Sequence, residues 1–206
     1  MRYLALGDSY TIGAGASSQS KGWPSIIGKR LEKETGRKVE VTNPAVNGYT
    51  TLDLIEHELP LLWTAKPDLV TILIGVNDLV RDRTVADYRI SLVQIYDEVA
   101  AQGLPSGRVA AVSIPNWSVV PAVRDHGDPQ EIRRLTDEFN DAAQHEAASR
   151  GFTWIDITAA SISGLGSPGW IASDGLHPGD SQYGAWAEVI WHGIRNVWAE
   201  PPKPIQ

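Results

Sequence analysis

The sequence of 206 residues contains no cysteine. That absence excludes disulfides, thiol nucleophiles and Cys-ligated zinc or iron–sulfur centres, and it leaves the chain indifferent to the redox state of its compartment. Long apolar runs are missing as well: stretches such as 69–74 fall far short of the roughly 20 residues needed to cross a bilayer. No membrane span is expected. Basic runs are equally scarce, with 18 Lys and Arg against 25 Asp and Glu and a formal net charge of −7. Nothing here is suited to neutralising the phosphates of a duplex, so nucleic acid is not an expected partner. There is no internal repeat, low-complexity segment or interdomain linker. The apolar stretch 3–6 is too short for a signal-peptide core and runs straight into Gly7-Asp8-Ser9, so a cytoplasmic location is expected.

What is present is the composition of a folded globule: 42% hydrophobic and 21% charged residues, far from the low-hydrophobicity, high-charge balance of disordered chains. The length fits one domain, expected over residues 1–200, with the Pro-rich tail 201–206 fraying beyond it. Short apolar runs at 3–6, 39–42, 69–74, 109–113 and 153–155 alternate with segments of helical spacing at 23–35, 51–62, 85–102, 129–150 and 181–198. Five βα units of this kind form a parallel sheet covered by helices on both faces. Tyr88, Leu92, Ile95, Tyr96 and Val99 repeat at i, i+4, i+7, i+8 and i+11, one apolar stripe facing the sheet. Asp128 before Pro129 and Glu131 reads as a helix start, and Gly151 as a helix stop. Two long irregular stretches, 116–128 and 158–180, each follow a strand. In open α/β sheets the loops beyond the carboxyl ends of the strands build the ligand site, so function is sought there.

Four polar clusters occupy those ends. Gly7-Asp8-Ser9-Tyr10 follows the first strand, Asn43-Pro44-Ala45-Val46-Asn47-Gly48 the second and Gly75-Val76-Asn77-Asp78 the third, while Asp174-Gly175-Leu176-His177-Pro178 precedes the last helix. A serine becomes a nucleophile when a histidine takes its proton, and that histidine needs an acceptor to fix its tautomer and stabilise the imidazolium. Ser9, His177 and Asp174 supply such a set. The last two are three residues apart, so a single turn can hold both, with Nδ1 of His177 facing Asp174 and Nε2 facing Ser9. Acyl transfer also needs donors for an oxyanion. The candidates are the N–H groups of Ser9 and Gly48 and the amide of Asn77, which is neutral at every pH; Asp78 is better placed to anchor its loop. The bland reading of Ser9 is a helix cap, and of Gly48 a turn glycine.

These four blocks resemble those of the SGNH hydrolases, the GDSL esterase and lipase family: Ser9 in Gly-Asp-Ser-Tyr, Gly48 in Asn-x-Ala-x-x-Gly, Asn77 in Gly-x-Asn-Asp and His177 in Asp-x-x-His-Pro. The resemblance runs in the family's order from residue 7 to residue 178. It implies a three-layer α/β/α flavodoxin-like fold with Ser9 as nucleophile, His177 as base and Asp174 as its partner. It further implies an oxyanion hole from Ser9, Gly48 and Asn77, with no cofactor or metal. Tyr10 departs from the usual Leu or Ile at that place.

A small-molecule acyl ester is the partner so implied, its apolar group expected against Trp117, with Ile12, Trp170 and Ile171 as further wall. The segment 161–167, rich in Ser and Gly, is a candidate mobile stretch beside the base. Two other readings compete. The loop from Ser9 to Gly15 could cradle a phosphate or flavin in a non-enzymatic module, although it lacks Gly-Lys-Ser/Thr and Gly-x-Gly-x-x-Gly. Asp8, Asp78, Asp174 and His177 could instead ligate a metal in a phosphoesterase.

Overall fold

The computed structural model describes residues 1–105 and 107–200; the expected tail 201–206 lies outside them. Five strands, β1 (Arg2–Gly7), β2 (Glu40–Thr42), β3 (Leu69–Leu73), β4 (Val109–Val112) and β5 (Thr153–Ile155), form an all-parallel sheet in the order β2-β1-β3-β4-β5. This is the flavodoxin-like doubly wound order. The strands lie within a residue or two of the expected spans. Every residue of β3 and β4 is buried, as continuous apolar runs in a parallel sheet require. β2 is an edge strand with Glu40 and Thr42 exposed, a charged edge that discourages further pairing.

Nine α-helices accompany the sheet among the described residues: α1 (Ser9–Ile12), α2 (Trp23–Thr35), α3 (Thr51–Asp53), α4 (Leu61–Ala65), α5 (Val76–Val80), α6 (Val85–Ala100), α7 (Pro129–Ser149), α8 (Thr158–Ile162) and α9 (Asp180–Trp198). α2 packs with α9, and α6 with α7, giving a helical layer on each face of the sheet. The long helices begin where local chemistry allows. The Asp128 carboxylate accepts the N–H groups of Gln130 and Glu131 at 2.8 and 3.1 Å, and Thr84 Oγ1 accepts that of Asp87 at 3.1 Å.

One expected helix is broken. Over 51–62 the chain makes only the short α3, then a π-helical turn at Leu54–Glu58 closed by Leu59 N–H on Leu54 O at 3.0 Å, and restarts at Leu61 after Pro60. Proline has no N–H to offer and its ring crowds the preceding turn. The extra residue in the π turn accompanies Glu58 buried against β1. Three short helices at strand ends, α1, α5 and α8, go beyond the expected elements. α8 takes up Ser161 and Ile162 of the 161–167 segment, and Ser161 is buried and bonded to Asn116 N–H at 2.9 Å.

The strand order reverses at β1, which lies between β2 and β3. Leu6 pairs with Ile72 and Gly7 with Leu73, so both strands end at the same height. Ser9 and Asn77 consequently leave the sheet on either side of the crevice at which doubly wound folds bind ligands.

Candidate active site

The turn after β1 assigns different duties to adjacent residues. Asp8 caps α1, its Oδ1 accepting the Tyr10 N–H at 3.0 Å. Ser9 is thereby relieved of capping, and its hydroxyl has no hydrogen-bond partner among the described residues. The helix is tied to its neighbours by Asn43, whose Nδ2 donates to Thr11 O at 2.7 Å, and by Trp23 Nε1 on Tyr10 O at 3.0 Å. Tyr10 is buried. Its ring meets that of His177 edge-on, centroids 6.3 Å apart, and packs likewise on Trp186 at 5.6 Å. The aromatic at this position thus forms a wall shared by the serine turn and the histidine.

His177 Nδ1 lies 2.6 Å from Asp174 Oδ2. The other oxygen, Oδ1, accepts the N–H groups of Leu176 and His177 at 2.9 and 3.0 Å, so one four-residue turn fixes both side chains. Partial burial acts to raise the Asp174 pKa, but the hydrogen bonds from His177 and the turn hold the carboxyl below its ordinary value. The turn is pinned by Ala172 N–H on His177 O at 2.8 Å and by the bridge between Ile171 and Pro178. It presses on the loop that follows α1: a Cβ on Gly15 would stand 2.6 Å from Pro178 O and 2.9 Å from His177 Cβ. Gly15 also has φ +85°, a conformation that penalises any side chain. Ser9 Oγ and His177 Nε2 make no hydrogen bond here, as is common before a substrate draws such groups together.

Opposite the histidine, α5 carries Asn77, whose Nδ2 donates one hydrogen to Tyr49 O at 2.9 Å. A primary amide has two, so the second is left to point elsewhere. Gly48 sits in the same loop at φ +84°, and neither its N–H nor that of Ser9 has an acceptor among the described residues. Asp78, fully buried, accepts from Thr51 N–H at 2.8 Å, Thr51 Oγ1 at 2.5 Å and Arg83 Nη1 at 2.9 Å. It anchors the 48–51 loop to α5.

Residues 5–185 match the GDSL-like lipase/acylhydrolase family. The chain belongs to this family. Esterase TesA of Pseudomonas aeruginosa is 25% identical over 193 residues, 93% of this chain and 87% of its own length. An arylesterase of Vibrio mimicus is 26% identical over 177 residues, 86% and 80% of the two chains. A crystal structure of TesA superposes with a TM-score of 0.75 at 25% identity, covering 95% of this chain and 99% of the other. This acylhydrolase is a carboxylic ester hydrolase of the serine type.

The acids of the four polar clusters in this GDSL-like acylhydrolase are buried or committed to a partner. Among the described residues no three His, Asp or Glu side chains gather as a metal site: Asp8 and Asp78 are buried behind the serine turn, while Asp174 is committed to His177. Behind Ser9 lies a residue that no sequence motif announces. Glu58 is 1% exposed, and its Oε2 accepts the Gly7 N–H at 3.0 Å. Its Oε1 and Asp8 Oδ2 have no hydrogen-bond partner among the described residues. Burial pushes the Glu58 carboxyl up to about 8, the charge of Asp8 adding to the effect. Burial likewise pushes Asp8 up to about 7, with Asp78 acting in the same direction.

Of the expected wall residues, Trp117 is 2% exposed within the core, against the ring of His126. Trp170 is also buried, its Nε1 donating to Ser161 O at 3.1 Å. Ile12 and Ile171 are half-buried and keep surface open to a ligand.

Proposed function

We propose that this enzyme hydrolyses small acyl esters through acylation of Ser9, with His177 as base and Asp174 as its partner. The observation that carries this is the Asp174–His177 turn. Its 2.6 Å contact fixes the imidazole with the Nδ1 proton on the carboxylate side, leaving Nε2 as the basic nitrogen. The Ser9 proton passes to Nε2 as Oγ attacks the ester carbonyl, and Asp174 stabilises the imidazolium that results. The tetrahedral oxyanion receives the N–H groups of Ser9 and Gly48 and the second hydrogen of Asn77 Nδ2, three neutral donors. Collapse of the intermediate returns the proton from His177 to the leaving alcohol. Water then enters and gives a proton to the same nitrogen as its oxygen attacks the acyl carbon, and the imidazolium passes that proton to Ser9 Oγ as the bond to the acyl carbon breaks and the acid leaves. Ile12 and Ile171 are the apolar surface proposed for the acyl or aryl group, and the arylesterase relative makes aryl esters a natural probe.

The test is hydrolysis of p-nitrophenyl acetate, butyrate, octanoate and palmitate by the wild type and by Ser9→Ala, each with and without EDTA. Turnover is expected to survive EDTA and vanish in Ser9→Ala while circular dichroism stays unchanged. Activity indifferent to Ser9 would overturn the assignment.

A further inference from the structure

Two side chains of α5 grip successive carbonyls of one loop. Asn77 Nδ2 donates to Tyr49 O and Arg81 Nη2 donates to Gly48 O, both at 2.9 Å. The two residues are four apart at the foot and the C-cap of this helix, so they share a face. One turn of sequence farther along the loop, Thr51 is held by Asp78. The loop is therefore fastened to α5 at three points, and Arg81 holds the end that carries the Gly48 N–H.

We infer that Arg81 is a positioning residue for the oxyanion hole, holding Gly48 so that its N–H and the Asn77 amide converge on the same oxygen. This rests on the functional reading above. Glycine has the widest backbone freedom of any residue, and Gly48 stands at φ +84° with no side chain to brace it. The bond to its carbonyl fixes the orientation of the peptide that follows. The guanidinium also covers the α-carbon, with Nη2 3.8 Å from where a Cβ would stand. Stability does not account for this arrangement. The Arg81 side chain is 59% exposed and its nearest carboxylate, Asp53, is 4.0 Å away, while Asp53 is already bonded to Thr50 N–H and Oγ1 at 2.8 and 2.6 Å. An exposed pair of that kind contributes little to folding. The geometry that Arg81 does enforce is that of a donor, and small displacements of groups that meet a transition state are costly in rate.

Arg81→Lys, Arg81→Gln and Arg81→Ala are to be compared with the wild type on p-nitrophenyl butyrate. The Gln and Ala variants are expected to lose about 10- to 100-fold in kcat, with KM changed by less than about threefold and an unaltered melting temperature. Arg81→Lys keeps the charge without the planar fork and falls between. Low, non-denaturing guanidinium chloride should restore part of the Arg81→Ala rate and leave the wild type unaffected. In the Asn77→Ala background the Arg81→Ala loss should shrink, because both residues serve one loop. An unchanged kcat, a loss confined to KM, or losses that multiply in the double variant would overturn the inference. Activity retained in Ser9→Ala would instead overturn the functional reading beneath it.

Discussion

The buried acid behind Ser9 makes a prediction of unusual sign. Glu58 has one oxygen on the Gly7 N–H and the other without a hydrogen-bond partner, and its pKa is pushed from 4.5 up to about 8. Below pH 4.5 the carboxyl is protonated in both the folded and the unfolded chain, and its contribution to stability is fully present. Between 4.5 and 8 the unfolded chain releases the proton and the folded chain retains it, so stability falls by about 1.4 kcal/mol per pH unit. From pH 5 to pH 8 that amounts to about 4 kcal/mol, a large share of the 5–15 kcal/mol available to a typical domain. Asp8, pushed up to about 7, has the same sign and adds its own slope below that pH.

Glu58→Gln keeps a carbonyl for the Gly7 N–H and removes the titration. Urea unfolding at pH 5, 6, 7 and 8 and constant ionic strength should show the wild type weakening faster than the variant, with the difference moving toward the variant by about 4 kcal/mol across the range. Groups that do not interact with Glu58 are common to both proteins and cancel in this comparison, and Asp8, whose charge acts on Glu58, is retained in both. Two parallel lines would refute the reasoning, because they would mean that Glu58 is ionised within the fold. A variant that loses ground to the wild type as pH rises would refute it as well.

Other expectations concern the rate. Asn77→Ala removes a donor and should lower kcat by about 100- to 1000-fold with KM little altered, measured by steady-state kinetics on p-nitrophenyl butyrate. Asp174→Asn preserves an acceptor for the two turn N–H groups but presents an amide to His177 Nδ1, which favours the wrong tautomer; a kcat loss of about 10⁴-fold is expected. Because hydrogen bonds hold the Asp174 pKa below its ordinary value, its support of His177 should persist through the neutral range and fail only as pH falls through the acid range. Gly15→Ala places a Cβ 2.6 Å from Pro178 O at a positive φ, costing about 1–2 kcal/mol for the conformation alone. It should lower the melting temperature by several degrees by calorimetry and reduce kcat by displacing His177.

How much of this was legible in the sequence depends on the range of the interaction concerned. The strands could be placed because a parallel sheet writes itself as continuous apolar runs, and the polar blocks at their ends could be placed because those ends must carry the site. The Asp174–His177 contact was legible because three residues suffice to make it. Glu58 was not: in the 51–62 segment it reads as one more solvated position of a helix, and only the π turn before Pro60, together with a β1 amide 51 residues away in sequence, makes it a buried acid. Asp8 shows the same limit in a milder form. Its neighbour in the motif drew attention, whereas its capping bond and its missing partner are facts of packing.

Arg81 lies between these cases. Its spacing from Asn77 is a helical one, but α5 is only five residues long, too short for periodicity to announce it, and the carbonyl it grips is 33 residues away in sequence. The division of labour this reveals is physical. The groups proposed to touch the reacting ester are small, neutral or held by local turns, so they survive as short motifs. Groups that brace these loops from elsewhere in the fold, Arg81 on the Gly48 carbonyl and Glu58 on the Gly7 N–H, act over 33 and 51 residues of sequence and leave no local pattern. If the two kinds differ as argued, Arg81→Ala should change kcat without changing the pH dependence of stability, and Glu58→Gln should do the reverse. Both measurements on the same pair of variants would separate the proposed aiming of the oxyanion donors from support of the turn that carries Ser9.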